Sequence, residues 1–451
     1  MKTPRWKPLV IAAASLLILA VLLYQVPFIH NRLSWRIDDL KTRLIYVFNP
    51  PEEAVFVPVG IPSTATPDPQ PRDPTPLPTG NPPPATPSPE PTTPIHSEDF
   101  PRPEKIMLEN VVYVKQNERW NYCGPANLTM ALNFWGWPGD RDDVARVVKP
   151  GVNNPNLDFI QRGRSDKNVM PSEMIDFVAD ETDLYIVARY GGDLELIKRF
   201  IASGYPVLVE KGTYREDYHG ELGWMGHYMF TTGYDDTTEE LIVQDSLIEK
   251  GNTEADHKNK KMAYQTYLEG WRSFNYLFMV IYPPDRQEEI NQLLGPWLDP
   301  HWAYQHALEQ AEAEIDRTSG INLFFAWFNK GTSLVKLERY QEAAETFDRA
   351  YQVYEQLAQS DAVRPYRITW YQTSPYMAYY YSGRYQDVIN LANFTLETIA
   401  DPTLEETLYW RGMAQYALGN TAQARDDLYR SVWLNPNFEA GLIQINQLGL
   451  E

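Results

Sequence analysis

The sequence predicts an α+β domain joined to an all-α tail, set behind an N-terminal apolar span and a proline-rich spacer. Three features carry this reading. Between Glu104 and Pro284, short β-rich runs mix with segments of helical period. After Asp285 the chain is helix-rich, with small residues and aromatics recurring at repeat spacing. Before both lies a long apolar run, then a stretch too poor in apolar residues for a core. The divisions read as 1–30 for a cytoplasmic tail and transmembrane anchor, 31–49 for a juxtamembrane amphipathic helix and 50–103 for a disordered Pro/Thr-rich linker. Residues 104–284 then form the α+β domain and 285–451 the helical one.

Pro8 to Ile29 is almost wholly apolar and long enough to cross a hydrocarbon core of ~30 Å. A cleaved signal peptide competes, but the run exceeds a usual h-region and no small-x-small site follows. Basic residues flank both sides (Lys2, Arg5 and Lys7; Arg32, Arg36, Lys41 and Arg43), so their count does not orient the span. The short tail stays inside easily, which predicts a single-pass protein of the cell membrane with its soluble domains outside the cytoplasm. Leu33, Ile37, Leu40, Leu44 and Phe48 recur at helical spacing, as an interfacial helix, a dimerising coil or a plain continuation of the anchor. From Ile61 to Pro103, Pro, Thr, Ser and Asp dominate; as polyproline II at ~3.1 Å per residue, about 40 residues reach at most ~120 Å. A stalk is the simplest use of such a spacer, a PxxP ligand the other.

The 451 residues, 43% hydrophobic, suffice for two or three cores. A net charge of −20 and a pI near 4.8 exclude a nucleic-acid partner, whose phosphates would be repelled. One cysteine rules out an intrachain disulfide framework, and the seven histidines show no HExxH spacing, so no metal or other cofactor is expected.

In the α+β domain, Val111 to Val114 reads as a strand leading into Gln116. Cys123-Gly124-Pro125 then opens a helix through Trp135, with Leu128, Ala131, Leu132 and Trp135 on one face and Gly136 as its stop. Helices follow at Pro171 to Asp180 and Leu194 to Ser203, and strands at Tyr185 to Ala188 and Pro206 to Val209. Gly226 to Asp235 and Glu240 to Ser246 read as an antiparallel pair. His227 would open its first strand and Asp245 end its second, so the hairpin could bring the two together.

Cys123 is the candidate nucleophile. At a helix N-terminus a thiol meets unpaired N–H groups and the positive end of the macrodipole, which favour thiolate. The Gln116 amide and the Cys123 backbone N–H could donate to an oxyanion. A lone cysteine before a helix is equally well a small buried hydrophobe. His219 is the rival base, Asp235 and Asp236 are rival acids assigned to the turn as solvated groups, and His257, in Asp256-His257-Lys258-Asn259-Lys260-Lys261, reads as an exposed bystander.

Taken in order, Gln116, Cys123-Gly124-Pro125-Ala126, Gly204-Tyr205-Pro206-Val207, Gly226-His227, Gly233-Tyr234-Asp235-Asp236 and Asp245 resemble the bacteriocin-processing (double-glycine leader) peptidases of the papain-like superfamily, over Val111 to Tyr282. The resemblance implies a papain-like fold. It also implies that Cys123 attacks a scissile carbonyl, His227 takes its proton and protonates the leaving amine, Asp245 orients the imidazole and Gln116 completes the oxyanion hole. Those peptidases are usually fused to a transporter, whereas this chain has one apolar span and no GxxxxGK[ST] motif.

In the tail, Trp327, Gly331, Leu334, Tyr340, Ala343, Phe347 and Ala350 fall at tetratricopeptide spacing, as do Leu408, Gly412, Ala424, Leu428 and Pro436. Met377 to Glu397 is a looser copy offset by extra residues around Ser360 to Pro365. The resemblance to tetratricopeptide repeats implies a solenoid that recruits a protein partner, or one that only packs on the α+β domain. The expected whole is a membrane-anchored extracytoplasmic cysteine peptidase acting on a peptide or protein. A catalytically silent papain-like peptide-binding scaffold is the first alternative, and acyl or amide transfer the second.

Overall fold

The computed structural model describes residues 56–59, 102–119, 121–157, 168–216, 222–357, 364–399 and 403–450, with Ser15, Tyr24 and Arg162 as isolated positions. The anchor, the juxtamembrane helix and most of the linker lie outside the described residues, as does His219. Among the described residues no helix is long and apolar enough to cross a membrane.

Among the described residues, one antiparallel sheet of seven strands is built from the chain between Lys105 and Tyr282. Its strands are β1 (Lys105–Met107), β2 (Tyr185–Arg189), β3 (Val207–Glu216), β4 (Leu222–Asp235), β5 (Glu240–Gln244), β6 (Lys260–Ala263) and β7 (Phe278–Tyr282). They lie in the order β2-β7-β3-β4-β5-β6, with β1 paired to the far end of β4. β4 is central because its alternation serves two cores. Tyr228 and Phe230 pack with Leu208, Met279 and Ile281 beneath α1 (Cys123–Phe134), α2 (Arg141–Val148) and α3 (Pro171–Glu181). Met229 joins Val207, Val209 and Phe278 in a second core covered by α4 (Leu194–Ala202) and α5 (Tyr264–Arg272), to which α6 (Gln287–Leu294) adds Ile290 and Leu293.

Most predicted elements appear within a residue or two; β3, predicted to end at Val209, runs seven residues further to Glu216, and two other readings change. Val111 to Val114 forms no strand; Val111, Tyr113 and Val114 instead lay their side chains against the core under α1, and the backbone first pairs at Gln116, whose N–H donates to Ser246 O at 2.7 Å. His227 does not open a strand. β4 begins five residues earlier, and His227 sits inside the ladder opposite Lys211.

The helical region continues with α7 (Pro300–Ile315) and three antiparallel pairs: α8 (Gly320–Lys336) with α9 (Tyr340–Gln356), α11 (Ser374–Tyr381) with α12 (Tyr385–Glu397), and α13 (Glu405–Ala417) with α14 (Thr421–Leu434), followed by α15 (Glu439–Gln447). Small residues set their approach: a Cβ on Gly331 would come within 2.7 Å of the Phe347 ring. The extra residues before the looser repeat supply a short helix, α10 (Ile368–Tyr371). The repeats pack on the sheet domain through an aromatic knot, Trp224 of β4 stacking on Phe274 at 5.9 Å and meeting Tyr371 edge-on at 5.9 Å. Polar contacts surround it: Arg367 Nη1 donates to Trp224 O (3.1 Å), Gln372 Nε2 to Ser273 O (2.7 Å) and Asn168 Nδ2 to Trp370 O (2.9 Å).

Candidate active site

α1 starts on the cysteine itself. Pro125 sits in the first turn, where a missing N–H costs nothing, and Gly136 at φ +88° ends the helix in a conformation an L side chain resists. The first turn is anchored from within by Asn127. Its buried Nδ2 lies 2.9 Å from Cys123 O, 3.1 Å from Tyr228 O and 3.0 Å from Ser246 Oγ. The reversed amide would aim its oxygen at two carbonyls, so this orientation is forced. One amide thus ties the cysteine to the residue after His227 and to the residue after Asp245. Ser246 Oγ in turn donates to Gln116 Oε1 at 2.9 Å, which leaves the Gln116 Nε2 end as its donor.

The sulfur of Cys123 faces the backbone N–H groups of Tyr228 and Gly124, so it lies one peptide unit from His227; no hydrogen bond joins it to the imidazole. Burial pushes the thiol above its ordinary value, reinforced by Glu210 and only partly offset by those two N–H groups and Lys149. The helix-terminus effect expected to favour thiolate is therefore outweighed here by desolvation.

The second half of the site is ionic. His227 Nε2 and Asp245 Oδ1 are 3.0 Å apart and both residues are buried, so Nδ1 is the ring nitrogen left for a thiol proton. Burial lowers the His227 pKa, and Asp245 works against that. Burial would raise the Asp245 pKa, but His227, Arg215 and Lys260 outweigh it and hold the carboxyl well below the usual range. Arg215 Nη2 lies 3.2 Å and Lys260 Nζ 3.1 Å from Oδ2. Asp245 stands just beyond the last residue of β5, and Tyr113 Oη donates to its carbonyl at 2.7 Å.

Two assignments of bystanders change. His257 is fully buried, not exposed: the turn capped by Thr253 and Asp256 folds it inward, its carbonyl accepts from Asp245 N–H, and its Nδ1 lies 3.5 Å from Asp245 Oδ2. Asp236 is not a solvated turn acid. It bonds Arg102, Lys198 Nζ (3.1 Å) and Tyr264 Oη (2.7 Å) and, although burial opposes this, its pKa falls to about 2. Asp235 is half-buried and holds the turn by accepting from Thr237 N–H at 3.0 Å.

Three residues went unseen in the sequence. Asn127 was hidden as one more polar residue on a helix. Glu210, opposite Tyr228 in the ladder, is a buried carboxyl whose pKa burial raises well above the ordinary value. Tyr371 comes from the helical region: its ring fills the space a Gly226 Cβ would occupy, 2.9 Å from Cδ1, and Gly226 N–H faces its oxygen. It walls the site next to His227. No group of His, Cys, Asp and Glu among the described residues could hold a metal ion.

Comparison with known proteins gives the following. No curated protein matches the chain. Among solved structures, a Bacillus anthracis chain described as a C39-like peptidase aligns at 18% identity and a TM-score of 0.28, covering 39% of this chain and 96% of its own. Xylellain, a cysteine protease from Xylella fastidiosa, aligns at 16% identity and a TM-score of 0.28, covering 43% of this chain and 90% of its own. In the helical region, residues 326–357 and 406–437 each match a tetratricopeptide repeat family. Residues 108–278, which contain Gln116, Cys123, His227 and Asp245, match the Peptidase_C39 like family.

Proposed function

We propose that the chain is a cysteine peptidase in which Cys123 is the nucleophile, His227 the general base and acid, Asp245 the orienting carboxylate and Gln116 an oxyanion donor. The observation that carries the proposal is the buried His227–Asp245 pair at 3.0 Å beside the backbone that the sulfur faces, within the segment matching the peptidase family. The Cys123 thiol would pass its proton to His227 Nδ1, and the thiolate would attack the scissile carbonyl. The Cys123 backbone N–H and Gln116 Nε2 would hold the oxyanion, and the imidazolium would protonate the leaving amine. Water, deprotonated by His227, would then release the acyl group from sulfur. Asp245 keeps Nε2–H engaged and stabilises the imidazolium. Gln116 is already aimed, since Ser246 holds its Oε1.

The second reading, a silent peptide-binding scaffold, is favoured by the neutral resting thiol and its lack of a hydrogen bond to the imidazole. Cys123→Ala separates the two. Under the peptidase reading the wild type cleaves members of a diverse peptide library and takes up a thiol-directed probe, and both vanish in the variant. Absence of cleavage by the wild type favours the scaffold.

We further propose that the apolar run Pro8 to Ile29 anchors the chain in a cell membrane with the peptidase outside the cytoplasm, and that the repeats recruit a protein partner or substrate. An impermeant thiol electrophile applied to intact cells should label Cys123; labelling only after lysis overturns this orientation.

A further inference from the structure

Phe56 to Val59 belongs to the stretch the sequence assigns to the linker, yet it is built into the repeats. The segment turns one side chain inward and its neighbours outward: Phe56 is 4% exposed, Val57 58% and Val59 71%. The Phe56 ring lies between two successive repeats, edge-on to Tyr351 of α9 at 4.8 Å, 6.1 Å from Tyr379 of α11 and 6.5 Å from Phe394 of α12. At the other end, Val59 N–H donates to Asp387 Oδ1 at 2.7 Å. Asp387 is 2% exposed, and its other oxygen takes Arg384 Nε at 2.8 Å, while Arg384 also bonds Asp348 of α9 at 2.8 and 3.0 Å. A buried carboxylate fixed by arginine, with one oxygen offered to a backbone N–H, is a built acceptor for a peptide.

We propose that the groove between α9 and α12 is a peptide site whose resident occupant is this chain's own Phe56–Val59. It reads an aromatic residue and, three positions on, a backbone N–H. The segment is tethered, since Val59 and Arg102 are both held by the same folded unit, and a covalent link of this length gives an effective concentration on the order of mM. A partner reaching this groove must carry the same pattern and displace the segment.

The test uses the full chain with Cys123→Ala, so that no added peptide can be hydrolysed, and a labelled peptide of residues 52–62 read by fluorescence anisotropy. Adding Phe56→Ala to the chain should strengthen uptake by at least about tenfold through removal of the tethered competitor. A peptide carrying Phe56→Ala should bind neither chain. Hydrogen exchange should show amides 56–59 protected in the parent and released in Phe56→Ala, with the sheet amides unchanged. Equal uptake by the two chains while the sheet stays protected overturns the proposal, as do amides 56–59 exchanging at free-peptide rates in the parent. Protection lost on dilution in step with dissociation of a dimer assigns the occupant to a second copy and overturns occupation in cis. None of these readouts depends on whether Cys123 is catalytic.

Discussion

The two halves of the candidate site are built in opposite ways. Around Cys123 the partners are neutral: the Asn127 amide, the Ser246 hydroxyl, the Gln116 amide and two backbone N–H groups. Around Asp245 the setting is ionic: Arg215 and Lys260 meet one buried carboxylate that also holds His227, with His257 beside it. Neutral amides fix position without setting charge, and the half-buried thiol is pushed toward its neutral form. The ionic half fixes charge, and its carboxylate stays ionised despite burial. The contrast assigns placement to one half and proton handling to the other.

The largest effect should come from the sulfur. Cys123→Ala should lower peptide cleavage by at least ~10³-fold with the fold intact, measured by kcat/KM alongside thermal unfolding. Asp245→Asn should also lower activity, on the order of 10²–10⁴-fold, and unlike Cys123→Ala should destabilise by about 3–5 kcal/mol, because the buried Arg215 loses its counter-charge. Equal stability of the two variants would break the contrast between the halves. Asn127→Ala should cost about 1–3 kcal/mol in denaturant unfolding, since Cys123 O, Tyr228 O and Ser246 Oγ lose their shared donor.

Stability against pH separates Asp245 from Glu210. Asp245 is depressed in the folded state, so its contribution is present above the ordinary Asp value and is lost as pH falls through its folded value. Glu210 is raised, so the folded state holds a proton that the unfolded chain releases, and stability declines as pH rises from the ordinary Glu value toward the folded one. Glu210→Gln should therefore be more stable than wild type at pH 7 and converge with it at pH 4. A wild type that is the more stable at pH 7 contradicts the buried neutral acid. The smallest effect is expected of Tyr371→Ala, which opens the wall on Gly226 and should raise thiol alkylation a few-fold.

Much of this was legible in the chain. Pro125 and Gly136 bracket α1, and the glycine-bounded β-rich run gives the hairpin that carries His227 and Asp245. What escaped depends on tertiary context. The lysines around His257 look solvated, but a capped turn of three residues points the ring inward. Val111 to Val114 has strand composition, yet its apolar side chains are used by the core under α1 while its backbone meets no ladder. Tyr371 sits in an insertion between repeats, where no periodicity marks it, and reaches the site only because the repeats pack on the sheet. Phe56 is a single aromatic beside a proline-rich stretch, and its role exists only in the groove between α9 and α12.

The claim that His227 serves Cys123 can be measured directly because the chain holds one cysteine. The rate of iodoacetamide alkylation from pH 5 to 10 should be at least about tenfold higher in wild type than in His227→Ala near neutral pH, where the base assists ionisation. The two profiles should merge above the raised thiol value. Profiles that superimpose across the whole range would contradict the account.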